Sequence, residues 1–227
     1  MSLRFWLSGI NRCKRVAPTK KRPLLLDDLE KVLADTPKSI REHRDRAILA
    51  VAWAAGLRRS EVVGLDCDEA ETAPGFVRFT SQGMEIVLNR SKTDQEGAGR
   101  TIAIPLRRDG RKCPVRLLQK WMQVAKLRSG PLFRPIDLNS GKLGRARLKA
   151  GSVARIVKKA AKRLGFDPRF YAGHSMRAGF VSSVAAAGAS VPAIQATTGH
   201  KQVTTLFGYV RLVRLYQESA LHAIPGW

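Results

Sequence analysis

In the stretch GHSMRAGF, His174 and Arg177 stand three residues apart, which puts both on one face at the start of a helical segment. The first amides of a helix lack intrahelical partners, so an imidazole and a guanidinium beside them suit a bound phosphate. A helix cap or a satisfied core histidine fits the same spacing equally well. Earlier, GLRRSE brings Arg58 and Glu61 onto a shared face, which alone reads as a surface ion pair worth roughly 0.3 kcal/mol. Lys92, in RSKTDQEG, falls at a hairpin mouth, an ordinary place for an exposed lysine. The stretch TGHKQVTTLFGYVR carries His200 and, nine residues later, Tyr209. A tyrosine at helical spacing belongs more often to a core than to a reaction, and Tyr171 and Tyr216 read that way.

The signatures of other chemistries are missing. There is no GxxxxGK[ST], no GxGxxG after a strand, no GxSxG and no HExxH. From Gly97 to Gln217 the only acids are Asp109, Asp137 and Asp167, so paired carboxylates for magnesium are absent there and no metal or cofactor is expected. Phosphate chemistry in this chain would fall to cationic side chains. The charge agrees: 41 Lys and Arg against 18 Asp and Glu give a net +23, which favours nucleic acid as partner over an anionic membrane surface. Cys13, Cys67 and Cys113 show no CxxC spacing and read as neither a disulfide framework nor a zinc site, which fits a reducing cytosol. The longest apolar run, Ala47 to Leu57, lies between Arg46 and Arg58 and is far below the roughly 18 residues of a membrane span, so no membrane association is expected. The N-terminus has neither the apolar core nor the cleavage site of a signal peptide.

These residues need a scaffold of helices and a small sheet. LLLDDLEKVLADT predicts an amphipathic helix, capped by Asp27 with Glu30 three residues on, that presents Leu26, Leu29, Val32 and Leu33 on one face. REHRDRAILAVAWAAGLRRSEVVGL is apolar nearly all round in its middle and predicts a core helix that stops at Gly56, delivering Arg58 at its end. Between 75 and 106 the period changes to two: FVRFT, MEIVLNR and RTIAIP predict a three-stranded antiparallel meander, with Lys92 just past the second strand. Helical patterns return in PVRLLQKWMQVAKLR, SVARIVKKAAKRLG, SMRAGFVSSVAAAG and PAIQATTG. The fold class expected is mainly α with a small antiparallel three-stranded sheet. Residues 1–22, basic and proline-containing, read as a linker, and 23–227 as one domain.

Taken in order, GLRRSE, SKT, HSMR, TGH and a tyrosine nine residues past that histidine resemble the tyrosine recombinase (phage integrase) family. RDRAILAVAWAAGLRRSEVVGL and DPRFYAGHSMRAGFVSSVAAAG resemble it too, and the likeness runs from about Pro23 onward, over the family's C-terminal catalytic domain. By that resemblance Tyr209 is the nucleophile, Arg58, Lys92, His174, Arg177 and His200 are its catalytic partners, and Glu61 supports them. The implied reaction cleaves and rejoins DNA through a 3′-phosphotyrosyl link without metal or ATP. Arg58 and Arg177 would bind the non-bridging oxygens with His200 donating a further hydrogen bond, His174 would take the phenolic proton, and Lys92 would protonate the leaving 5′-oxygen.

The implied partners are double-stranded DNA at a specific site, further copies of the chain in a DNA-bound tetramer, and an accessory directionality factor, in the bacterial or phage-infected cytoplasm at the nucleoid. Family members carry a DNA-clamping domain before the catalytic one, so residues 1–22 also read as the remnant of such a domain, with weak, salt-dependent DNA affinity as the consequence. Gly208 beside Tyr209 suggests a segment that moves before assembly, and Leu212, Leu215 and Leu221 a tail that docks on a neighbour. Two alternatives stay open on sequence: an idle relative that only binds DNA, and a type IB topoisomerase-like strand transferase.

Overall fold

The apolar run from Ala47 to Leu57 becomes the centre of the molecule. A computed structural model describes residues 21–70, 72–89, 99–137 and 139–200, with positions 202, 204, 206, 207, 219, 221 and 224 beyond them. Lys92, Gly208, Tyr209, Leu212, Leu215, Tyr216 and most of the expected linker lie outside the described residues.

Helix α1 (Leu26–Ala34) precedes α2 (Ile40–Ala54) and the short α3 (Arg59–Gly64). Strands β1 (Leu65–Asp66), β2 (Gly75–Phe79), β3 (Gly83–Leu88) and β4 (Arg100–Pro105) follow, then α4 (Pro114–Val124) and α5 (Ala150–Arg163). A 3₁₀ turn at Pro168–Phe170 leads to α6 (His174–Ala186) and α7 (Val191–Thr198). The sheet order is β1-β2-β3-β4. The expected three-stranded meander is present as β2, β3 and β4, all antiparallel, but the sheet is mixed and has four strands, because Leu65 and Asp66 pair parallel to Gly75 and Phe76. Two residues are too few to show a period, and β1 is held from outside as well: Leu132 N–H donates to Leu65 O, and Cys67 N–H to Gly130 O, both at 2.9 Å.

Helix α2 is buried from Ala47 to Trp53, and its Trp53 ring meets Phe180 of α6 edge-on, with centroids 5.6 Å apart. The start of α1 differs from expectation. Leu25 is the capping residue and the Asp28 carboxylate, not Asp27, accepts its N–H at 3.2 Å, while Asp27 adds charge to the first turn. The buried face still comprises Leu29, Val32 and Leu33, with Leu26 half-buried. Cys67 and Cys113 are buried free thiols. Tyr171 is buried and stacks on Phe166, the core role read for it. Among the described residues no helix is long and apolar enough to cross a membrane.

The segment that leads into α1, with the first residue of that helix, is laced to the 3₁₀ turn and to α6. Arg22 N–H donates to Phe170 O at 2.8 Å, Leu24 N–H to Ser175 O at 3.0 Å, and Leu26 N–H to Ser183 Oγ at 3.1 Å. Leu24 O accepts the indole N–H of Trp53 at 2.9 Å. Backbone can come this close only because Gly179 has no side chain: a Cβ there would overlap Leu24 O. Gly179→Ala is expected to lower stability by about 1–3 kcal/mol, read as a shift in urea midpoint with unchanged slope. A wild-type midpoint would contradict this packing.

Candidate active site

The helix in GLRRSE is short, and Arg58 caps it from outside. Its N–H donates to Glu61 Oε2 and its Nη1 to Glu61 Oε1, both at 2.7 Å. Glu61 is 6% exposed, so this is no surface pair: the carboxylate is buried and also takes Arg100 Nη2 from the start of β4 at 3.3 Å. Holding one carboxylate between two guanidiniums fixes the direction of Arg58 far more tightly than an exposed pair would.

Arg177, in the first turn of α6, is 2% exposed. Its Nη1 donates to Gly56 O at 2.7 Å, in the turn that ends α2, and its Nε donates to His200 Nε2 at 3.3 Å. Gly56 has φ +56°, and a Cβ there would meet Thr198 Cγ2 at 2.9 Å and Phe180 Cδ1 at 3.1 Å. The expected stop at Gly56 is therefore also the point where α2, α6 and the end of α7 touch. Gly199 closes α7 with φ +63°, and a side chain on it would overlap the guanidinium of Arg100, whose Nη1 donates to Thr198 O.

Leu57, Arg58, Arg59, Ser60, Ala150, Gly173, His174 and Arg177 line one cleft of about 420 Å³. Among the described residues that line it none is acidic. The first residues of α5 and α6 both stand on its wall, so two positive helix ends add to the arginines. Arg59 lies across Gly173, where a Cβ would overlap its stem. His174 stands exposed at the mouth; partial desolvation first, then Arg177, Arg58 and Arg59, hold its pKa below the ordinary imidazole value. His200 is held down to about 4 by burial and then by Arg177, with Arg58, His174 and Arg100 adding to it. Both rings are neutral near pH 7. Burial depresses Arg100 as well, against the pull of Glu61.

Residues 23–214 match the model of the phage integrase family. The chain belongs to that family. It is 34% identical over 218 residues to an integrase/recombinase XerD homolog of Selenomonas ruminantium, covering 95% of this chain and 61% of that protein. Among solved structures it resembles the XerH site-specific recombinase bound to its difH substrate in a post-cleavage complex, with TM-score 0.63 and 16% identity over 87% of this chain and 52% of that one. The catalytic domain of bacteriophage HP1 integrase aligns with TM-score 0.51 and 16% identity, covering 91% of this chain and 96% of that domain. These structural likenesses show the fold.

Of the residues that the family resemblance marked, the structure gathers Arg58, His174 and Arg177 on one cleft, puts Glu61 behind Arg58 and His200 against Arg177. Lys92 and Tyr209 lie outside the described residues. Sequence reasoning missed Arg100, which opens an ordinary strand, and Thr198, whose hydroxyl lies 2.7 Å from His200 Nδ1. Arg100 has no spacing signal because its partners lie across the fold, and Thr198 has none because its contact with His200, two residues on, depends on the left-handed turn at Gly199.

The native pKa of His200, about 4, lies below the ordinary 6.5, so the unfolded chain binds a proton in that interval which the native site refuses. Its contribution to stability is therefore full above pH 6.5 and is lost as pH falls to about 4; His43 and His174, also lowered mainly by burial, act in the same direction. The urea midpoint is expected to fall from neutral pH to about pH 4, and less steeply in His200→Gln. Equal slopes for both proteins would contradict the burial of a neutral ring.

Proposed function

We propose that this chain is a site-specific DNA recombinase that breaks and rejoins strands through a covalent 3′-phosphotyrosyl intermediate on Tyr209. The observation that carries the reading is the convergence of Arg58, His174 and Arg177 on a cleft with no acid among its described lining residues, with His200 packed against Arg177. In this reading the tyrosine oxygen bonds to the scissile phosphorus as the bond to the 5′-oxygen breaks. Charge growing on the non-bridging oxygens meets two guanidiniums already aimed at it. A free phenol has a pKa near 10, so a base must take its proton, and a neutral His174 at the mouth suits that task. Lys92 supplies the proton to the departing 5′-hydroxyl. A second 5′-hydroxyl then attacks the phosphotyrosine and restores the phenol, one phosphodiester exchanged for another.

Double-stranded DNA is the substrate that a net charge of +23 favours, and the related recombinases solved on DNA support it. In the same proposal, residues 23–227 form the catalytic domain, four copies assemble on paired sites, an accessory factor sets direction, and the work is done in the cytoplasm at the nucleoid. The test starts from a pool of nicked duplexes with randomised cores, in which cleavage releases a short fragment and traps the protein. Wild type is expected to yield adducts that survive denaturation, and Tyr209→Phe none. Arg58→Ala and Arg177→Ala should each cut adduct formation on a selected duplex by about 10²-fold or more. Adducts that persist in Tyr209→Phe, or losses below about tenfold in both arginine variants, would refute the assignment.

A further inference from the structure

One glycine on the cleft wall is not explained by its backbone. Gly173, the residue before α6, has φ −57° and ψ −25°, an ordinary helical conformation that any side chain adopts. What the position needs is space, because a Cβ there would overlap both Cγ and Cδ of Arg59. Gly173 is buried, while Arg59 is exposed and lines the cleft. No acid is among the described residues that line the cleft, so among them the Glu61 that answers Arg58 has no counterpart for Arg59. A solvated arginine sweeps many rotamers and needs no glycine beneath it. Bedding the stem reduces the entropy that binding would otherwise cost. Charge counting says what such a side chain binds. A phosphodiester carries one negative charge, and in the strand-transfer reading two forks, Arg58 and Arg177, already meet the scissile one. A third guanidinium on the same wall is surplus to that phosphate.

We infer that Arg59, laid over Gly173, binds a second phosphate of the substrate strand, beside the scissile one, and so sets the register of the DNA in the cleft. The inference rests on the strand-transfer reading for which phosphate is scissile. That Arg59 takes a phosphate of its own follows from the cleft. The three guanidiniums have three separate supports: Arg58 is tied to Glu61, Arg177 to Gly56 O, and Arg59 lies on Gly173. Held apart in this way, they suit a linear polyanion that presents its charges side by side. Contacts of this kind fix the position of a duplex without reading its bases. The charge of Arg59 also reaches His174 at the mouth, where it comes after burial, Arg177 and Arg58 in keeping that ring neutral. Arg59 is a positioning residue, outside the bonds that break and form.

The test is binding of the full chain to a duplex selected for cleavage, followed by fluorescence anisotropy over a range of salt. Arg59→Met keeps the bulk of the stem without the charge. It should melt as the wild type does, bind several-fold more weakly, and make the slope of log affinity against log salt shallower by about one; Arg59→Lys should restore that slope. Uncharged methylphosphonates are then placed singly along the duplex. One position beside the cleaved phosphate should weaken the wild type and leave Arg59→Met indifferent. Gly173→Ala, whose methyl displaces the stem, should share that indifference, and in an Arg59→Ala background it should cost nothing more. A wild-type salt slope in folded Arg59→Met, or methylphosphonate losses equal in both proteins at every position, overturns the inference. Indifference at the cleaved phosphate itself overturns it too, by making Arg59 a third fork on the scissile group. A wild-type response in Gly173→Ala overturns the role of the glycine. If the wild type never links to DNA, the strand-transfer reading falls, while the same scan on a duplex that the chain binds still decides whether Arg59 takes a phosphate.

Discussion

A guanidinium buried to 2% exposure is costly unless every direction it points in is answered, and the placing of Arg177 governs the architecture around it. Two of its partners come from remote stretches: the carbonyl of Gly56, after the core helix, and the imidazole of His200, just after α7. That carbonyl is available because Gly56 turns the chain with a positive φ, and α7 fits against it because Gly56 has no side chain. The imidazole can accept from an arginine only while it is neutral. The pKa of about 4 is thus both a result of burial among cations and a condition for holding them together.

The second arginine is held on a different principle. Arg58 is partly exposed and is aimed by a buried carboxylate, Glu61, that also grips Arg100. Arg100 belongs to β4, and its other arm reaches Thr198 O, so the sheet, α3 and the end of α7 meet through one side chain. A cleft of like charges would repel itself apart on a loose scaffold. Here its members are held by Glu61, the Gly56 carbonyl and His200, none of which is among the residues that line the cleft. Such preorganisation is what a transition state with growing negative charge requires of its donors.

Much of this was legible in the residues, and what was not has a physical reason. The run through Ala47 to Trp53 announced the core helix because nothing polar interrupts it, and the stop at Gly56 followed from the one residue type that turns freely there. HSMR gave a histidine and an arginine on one helical face because three residues nearly complete a turn. Spacing could not tell that Glu61 is buried, since burial depends on what packs over α3, and an exposed pair has the same sequence. Nor could it show β1, too short to carry a period, or the capping role of Asp28, when an adjacent aspartate fits the pattern as well. Arg100 and Thr198 were silent because their partners are 98 and 2 residues away, contacts that only the folded turn at Gly199 creates.

The central claim is that the cationic cleft serves a phenol attacking a DNA phosphate. The most direct measurement is mass spectrometry of the nuclease-trimmed, protease-digested adduct between the chain and a trapped duplex. The account predicts a nucleotide attached through its 3′-phosphate to the peptide that contains Tyr209, and to no other side chain. A nucleotide on a different residue, or one joined through a 5′-phosphate, would contradict it.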